Sequence, residues 1–380
     1  MILIRRYVTI EIAIGALASI GFFLLVFLTG NALRDALSLF TSGRIPLGAF
    51  LNLLLLLIPF VLAYALPLGT VTGILITLGR LSGNHEITAM RASGMSLFQI
   101  TVPILAFATL ASIGSAAFNL YFAPENRSLY KSTIRNVVRE NPVAFIRPGE
   151  MVREFPGFII YTHSVEEQTV RGFWIWEIGP NGFPQYFIQA DRGTIHYDEA
   201  SQMLVIDLER GIGERRFAPQ PHQLAHPDVI RLTTGSYALS LSLDKILGSS
   251  GKQQRLQHLG LPALLDLLKR LDSEASDLPP AQRQIERSRV LYQIHSNIAM
   301  SLSTLTLSLV AIPLGIRVGR KESYTNIAIA LILSLLYFFT TAISGWFEKS
   351  PSFYPHLLVH LPNLCFGLAG IYLFRRIDQR

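Results

Sequence analysis

Two apolar blocks enclose a polar one, and this pattern limits the possible folds more than any other feature of the 380-residue chain. A helix that crosses a bilayer needs about 20 mostly apolar residues. The first block offers three such runs, at residues 10–33, about 50–78 and about 97–122. The last block offers three more, at about 291–316, 325–346 and 357–374. The charges agree. Charged residues make up 16% of the chain, against about 25% in an ordinary soluble domain. Before position 125 the acidic residues are Glu11, Asp35 and Glu86, and after position 290 they are Glu322, Glu348 and Asp378, so most of the 26 lie in between. The formal net charge of +7 is therefore spread over loop ends and does not form a stripe for nucleic acid, and no nucleic-acid partner is expected. The single cysteine, Cys365, sits in an apolar run, which leaves neither an internal disulfide nor a cysteine metal cluster.

Arg5 and Arg6 precede the first run, as they would in a signal peptide, but the run is too long for one and is read as an uncleaved span. The Lys/Arg bias of short loops sets orientation. With the N-terminus in the cytoplasm, that side holds Arg5, Arg6, Arg80, Arg91, Arg317, Arg320, Lys321, Arg375, Arg376 and Arg380. The short outer loops hold only Arg34, Arg44 and Lys349. Six spans then return the C-terminus to the cytoplasm and leave the middle block outside, with Trp346 and Tyr354 in the outer aromatic belt. Pro59, Pro67, Pro103 and Pro313 fall inside spans and are read as kinks whose freed carbonyls neighbouring helices re-satisfy.

From about residue 144 to 243 the pattern changes period. "GFIIYTHSV", "VRGFWIWEI", "YFIQADRGTIHYD", "MLVIDLERGIGERRF" and "VIRLTTGSYALSLSL" are β-branched and aromatic runs separated by turn residues such as "GPNGFP". Such strands suggest a sandwich or jelly roll, with an edge able to accept a partner's strand. Leu261, Leu264, Leu265 and Leu268 then form a helical stripe, Pro279 and Pro280 end it, and a second helix from about Ala281 should run into the fourth span. The expected fold is a polytopic α-helical membrane protein, six transmembrane helices arranged 3 + 3, with an inserted periplasmic all-β jelly-roll-like domain. Its parts are residues 1–124, 125–260 (the β domain), 261–290 (a helical connector) and 291–380.

No catalytic set emerges. The chain has no G-x-x-x-x-G-K-[ST], G-x-S-x-G or H-E-x-x-H, so no enzyme activity and no cofactor are expected of it. His356 and His360 have i, i+4 spacing, but no third ligand is evident, and they are read as interfacial histidines without a metal. Arg34 at the outer end of the first span is either a snorkelling anchor or a contact for a lipid phosphate. Glu11, near the inner end of the same span, either pairs with a neighbouring arginine or lies in the interface.

The most informative loop is "GNHEITAMRASG", residues 83–94, between the second and third spans. Gly83 breaks the span, Asn84 is a candidate N-cap, and Glu86 lies in the first turn, where the helix dipole favours a carboxylate. Ile87, Met90 and Arg91 follow at helical spacing, and Gly94 suits the position after a helix C-cap. Ser96 and Gln99 have the capping-box spacing that opens the next helix. A tight loop would need fewer residues. The segment therefore predicts a separate helix at about 84–93, suited to docking in a groove on a cytoplasmic partner.

With that topology the chain resembles the lipopolysaccharide-export permease family LptF/LptG (YjgP/YjgQ). The likeness lies in "RRYVTIEI", "LPLGTVTGILITLGRLSGNHEITAMRASGMS" and "VAIPLGIRVGRKE", and the second stretch leans toward the LptF branch. The resemblance implies a heterodimer with a homologous permease, a cytoplasmic ATPase dimer that hydrolyses the ATP, a single-span periplasmic jelly-roll partner, and lipopolysaccharide as the substrate. It implies that Glu86, with Ile87, Met90 and Arg91, couples to the ATPase, that Arg34 contacts lipid phosphates, and that the first and fifth spans form lateral gates. The first span departs from the family in having few other basic residues at its outer end. A mechanotransmission subunit that carries no lipid is the main alternative, and six spans count against it. A secondary transporter would need midplane charges that these spans lack, and six spans are excessive for a mere periplasmic anchor.

Overall fold

The computed structural model describes residues 2–30, 37, 40–41, 45–140, 148–152, 157–166, 169–179, 182, 184–198, 203–215, 228–232, 237–242, 256–273, 279–318 and 323–378. Arg34, a candidate phosphate contact, lies outside them. The chain forms two compact units, one of residues 1–34, 52–128 and 256–380, the other of residues 35–51 and 129–255.

The first unit is helical. All six expected spans are present, as helices long and apolar enough to cross a membrane. The first is α1 (Ile2–Leu28), the second α2 (Leu47–Gly83). The short α3 (Glu86–Ala92) precedes the third span, α4 (Leu97–Ala117), which passes through a π-helical turn at Phe118–Phe122 into α5 (Ala123–Glu140). After the insertion come α6 (Leu261–Asp272) and the fourth span, α7 (Pro280–Val318). The fifth is α8 (Ser323–Trp346), and the sixth comprises α9 (Pro355–Leu358) and α10 (Leu361–Asp378). Helix thus runs on past residue 124, to Glu140, before any strand begins. The helix expected after Pro279–Pro280 does merge with the fourth span, since Pro280 sits in the first turn, where its missing N–H is no loss.

The spans differ in what surrounds them. Most of α7 is buried inside the chain, packed along α10, α4, α6, α9 and α8, whereas the other spans leave most of their apolar surface outward. In α1 the outward residues include Ile14, Leu17, Phe22 and Leu25; in α8 they include Ile332, Leu335 and Phe339. Three spans meet at one carbonyl in the core. The Ala299 oxygen on α7 accepts from the Tyr337 hydroxyl on α8 and from Asn363 Nδ2 on α10, each at 2.9 Å, and Thr306 Oγ1 on α7 donates to Asn363 Oδ1 at 2.8 Å. Lipid is as apolar as leucine, so hydrogen bonds and close packing, not a hydrophobic driving force, hold such helices together.

On the other side, α1 lies against α2 through small residues. A Cβ added at Gly73 would stand 2.4 Å from the Ala16 Cα, and one at Gly69 would stand 2.5 Å from the Ile20 Cα. Gly69 and Gly73 are four apart, so they present one flat stripe that lets the backbones touch.

The second unit holds the strands β1 (Met151–Val152), β2 (Phe158–Tyr161), β3 (Ser164–Glu166), β4 (Thr169–Ile178), β5 (Pro184–Asp198), β6 (Met203–Arg215), β7 (Asp228–Leu232) and β8 (Tyr237–Ser242). They form one antiparallel sheet in the order β1-β2-β4-β5-β6-β7, with β3 on β4 and β8 on β6. Alternation follows from the period-2 pattern: Ile175, Ile188, Ala190, Ile195 and Ile206 are buried, while Arg171, Gln189 and Thr194 on the other face are exposed. The inserted β domain is as expected. Among the described residues β4, β5 and β6 pair in chain order, while β2 pairs with β4 past β3, and both β7 and β8 pair with β6.

Candidate functional site

The short helix α3 carries the four predicted coupling residues, and its ends show why it is a separate element. It starts at His85, whose backbone is left-handed with φ 60° and whose side chain makes no capping bond. Asn84 is not the N-cap. Its Nδ2 instead donates to Glu86 Oε1 at 3.3 Å, and this carboxylate, two residues ahead, draws the amide away from the helix's free N–H groups. The C-terminal end follows the sequence closely. Gly94 has φ +89°, its N–H donates to the Arg91 oxygen, and the Met95 N–H donates to the Met90 oxygen at 3.2 Å. This is the Schellman arrangement, which uses glycine because a side chain at positive φ is strained. Ser96 and Gln99 form a complete capping box, each side chain bonded to the other's backbone at 3.2 Å.

Ile87 and Met90 are buried, in one apolar cluster with Val8 and Ile12 of α1, Leu78 and Leu81 of α2, and Met95. They anchor the helix within the chain, while Thr88, Ala89, Arg91 and Ala92 form its open face. Glu86 lies between the two faces, half-buried, and its Oε2 accepts from the Tyr7 hydroxyl of α1 at 2.9 Å. One turn further along α1, Glu11 forms an ion pair with Arg80 near the end of α2. This decides the open question about Glu11, which pairs with an arginine. Ser82 Oγ donates to the Ile316 oxygen of α7 at 2.7 Å, so the end of α2 is also tied to the fourth span. The sequence reading did not single out Tyr7 or Arg80 for a role here. The signal was weak: an i, i+4 pair, Tyr7 and Glu11, near the start of a helix that also carries Arg5, Arg6 and Thr9 there.

With the short helix held to α1 and α2 and presenting a small open face, the whole chain can be placed among known proteins. It matches the family described as "Lipopolysaccharide export system permease LptF/LptG" over residues 6–376, which takes in both helical blocks and the insertion. The chain belongs to the LptF/LptG family. Among curated proteins it is 29% identical over 182 residues to the "Lipopolysaccharide export system permease protein LptF" of Escherichia coli strain K12, and equally to that of Shigella flexneri. That alignment covers 47% of this chain and 49% of each relative, so the chain spans about half the length of the curated relatives it matches. Their name agrees with the LptF-leaning features of the LptF/LptG signature in residues 66–96.

The other candidates gather elsewhere in the helical unit. His356 and His360 are joined by a third imidazole, His295 of α7, which no local spacing could have revealed. The ring centroid of His295 lies 5.4 Å from that of His356 and 5.2 Å from that of His360. His295 Nδ1 and His360 Nε2 are 3.0 Å apart, a hydrogen bond that needs a proton between them. No group of three His, Cys, Asp or Glu among the described residues is arranged to hold a metal. Nearby, Arg289 of α7 reaches Glu348, after α8, at 3.6 Å and Glu286 at 3.2 Å, with the Arg289 and Glu348 side chains only 12% and 5% exposed. Burial raises the Glu348 pKa above its ordinary value, and Arg289 opposes this. Arg127 on α5 is packed over the Phe60 ring at 4.6 Å and donates to Gln257 Oε1 at 3.4 Å.

Proposed function

We propose that this chain is a membrane permease subunit of an ABC transporter that extracts lipopolysaccharide from the inner membrane. It would work beside a second, homologous permease and pass the lipid to periplasmic jelly-roll partners, one of them on a single-span chain. A cytoplasmic ATPase dimer would supply the energy, and this chain would act as a transport subunit, not an enzyme. The observation that carries the reading is the family match across both helical blocks and the β insertion. The physical demand fits. Lifting acyl chains from a bilayer costs about 0.8 kcal/mol per exposed CH₂, so extraction needs both an apolar shelter and an energy source. The outward apolar surfaces of α1 and α8 suit one wall of such a shelter. The sequence has no phosphate-binding loop, and α3, facing the cytoplasm by the loop-charge bias, is the natural receiver of motion from the ATPase, through its open face and the remaining hydrogen-bonding capacity of Glu86.

Affinity purification in detergent tests this. An ATPase and a homologous permease should be recovered together with the chain, and Glu86→Lys should lose the ATPase while the chain stays monodisperse. Recovery of full ATPase with normal lipid release by Glu86→Lys would refute the coupling role. Purification with an ATPase but with no lipopolysaccharide ever crosslinking to α1 would favour the mechanotransmission alternative. Arg34 remains the proposed phosphate contact, and Arg34→Glu should reduce photo-crosslinking of lipopolysaccharide to the first span; unchanged crosslinking would remove it from the site.

A further inference from the structure

Tyr7 and Glu11 are one helical turn apart on the same face of α1, and each holds a different side of one break in the chain. Glu11 pairs with Arg80, before the break at residues 84–85. Tyr7 donates to Glu86, after it. Above these pairs α1 is pressed to α2 along Ala16–Gly73 and Ile20–Gly69, so α1 and α2 already form one body there. The left-handed turn at His85 is the joint about which α3 could swing, and α1 is the only other span whose polar side chain is bonded to α3 among the described residues. We propose that the Tyr7–Glu86 hydrogen bond, braced by the Glu11–Arg80 pair, is the link through which displacement of the short helix is delivered to the first span. In this arrangement Tyr7 is a positioning residue. It holds the Glu86 carboxylate toward α1 and makes the end of the first span follow α3 instead of letting the helix rock freely on its apolar underside.

The inference rests on the proposed receipt of ATPase motion by α3, and its two arms separate the link from that reading. The first uses the full chain alone in detergent, with amide hydrogen exchange as the readout. Tyr7→Phe should raise exchange across residues 84–94 about threefold to tenfold, the range expected for loss of a partly exposed hydrogen bond to a charged group. Tyr7→Lys, which restores a donor to Glu86, should return it to the wild-type level. Equal exchange in all three proteins would overturn the link. The second arm uses the complex reconstituted with its ATPase. Tyr7→Phe should leave the amount of bound ATPase unchanged and lower the lipid released per ATP hydrolysed by a similar factor. Glu11→Arg and Arg80→Glu should each do the same, and the double charge swap should recover release, which a merely structural defect would not. Unchanged release per ATP in Tyr7→Phe, or a swap that recovers nothing, would overturn the transmission claim. Failure of the wild-type chain to bind any ATPase would instead sink the functional reading, and the exchange arm would still decide whether α3 is held by Tyr7.

Discussion

The two sides of the helical unit are assembled by opposite means. Where α7 meets α8 and α10, the contact is dry: Tyr337 is 0% exposed, and the Ala299 carbonyl, Asn363 and Thr306 satisfy one another out of reach of solvent. Where α1 meets α2 and α3, glycines bring the backbones together and the polar links lie near the surface, with Tyr7 38% exposed. A buried network of this kind has one good arrangement, because every alternative leaves a polar group unpaired in an apolar medium. A flat glycine contact with water-accessible links has neighbouring arrangements of similar energy, since exposed ion pairs are worth only about 0–1 kcal/mol each. The difference separates a part built to stay from a part built to shift.

The strongest test of that contrast is Gly73→Leu. The new side chain would start 2.4 Å from the Ala16 backbone, and overpacking of this kind costs about 3 kcal/mol. The variant should lose its monodisperse peak in size-exclusion chromatography. Gly114→Leu, at a helical glycine with nothing within 4 Å of the added Cβ, is the matched control and should behave as wild type. If both behave alike, the close approach of α1 is not what holds it. A smaller effect is expected on the α7 side. Asn363→Ala removes two bonds, to Ala299 and Thr306, and should destabilise by about 1 kcal/mol, seen as a lower melting temperature in detergent with lipid release per ATP intact. Reduced release at an unchanged melting temperature would mean that this side also moves. The smallest effect concerns Glu348. Its folded pKa is raised above the ordinary 4.5, so between 4.5 and the folded value the folded state binds more protons than the unfolded state. Its contribution to stability is full below pH 4.5 and is lost as pH rises through the folded value. Glu348→Gln should therefore flatten the dependence of melting temperature on pH above 4.5, and an unaltered slope would remove Glu348 from the account.

What could be read in the sequence follows the same division. The spans, the C-terminal end of α3 and the capping box of α4 were legible because their causes are local. Twenty apolar residues, a glycine at a left-handed position, and Ser96 three residues before Gln99 each act within a few positions. The start of α3 was misassigned to Asn84 because its amide had a competing partner in Glu86, and propensity does not rank such competitors. Tyr7–Glu86 and Glu11–Arg80 join residues 79 and 69 apart, and the His295 imidazole reaches His360 across 65. Nothing in local spacing encodes those meetings; they exist only once the glycine stripe has set α1 on α2 and once α7 has packed beside α10. The β insertion was legible as strands, since alternation is local, but their order in the sheet depends on which strands pair, as when β8 joins β6 past β7.

The length of α7 has a mechanical consequence. Its 39 residues measure about 58 Å at 1.5 Å per residue, roughly twice the 30 Å of a bilayer's hydrocarbon layer. The opening turns, Gln282 to Arg289, are polar, so much of the excess belongs to that end. Tied to α8 and α10 within the bundle, a helix of this length is a post whose polar end stands about 28 Å beyond the hydrocarbon layer, so what is fixed among the spans also fixes the position of that far end.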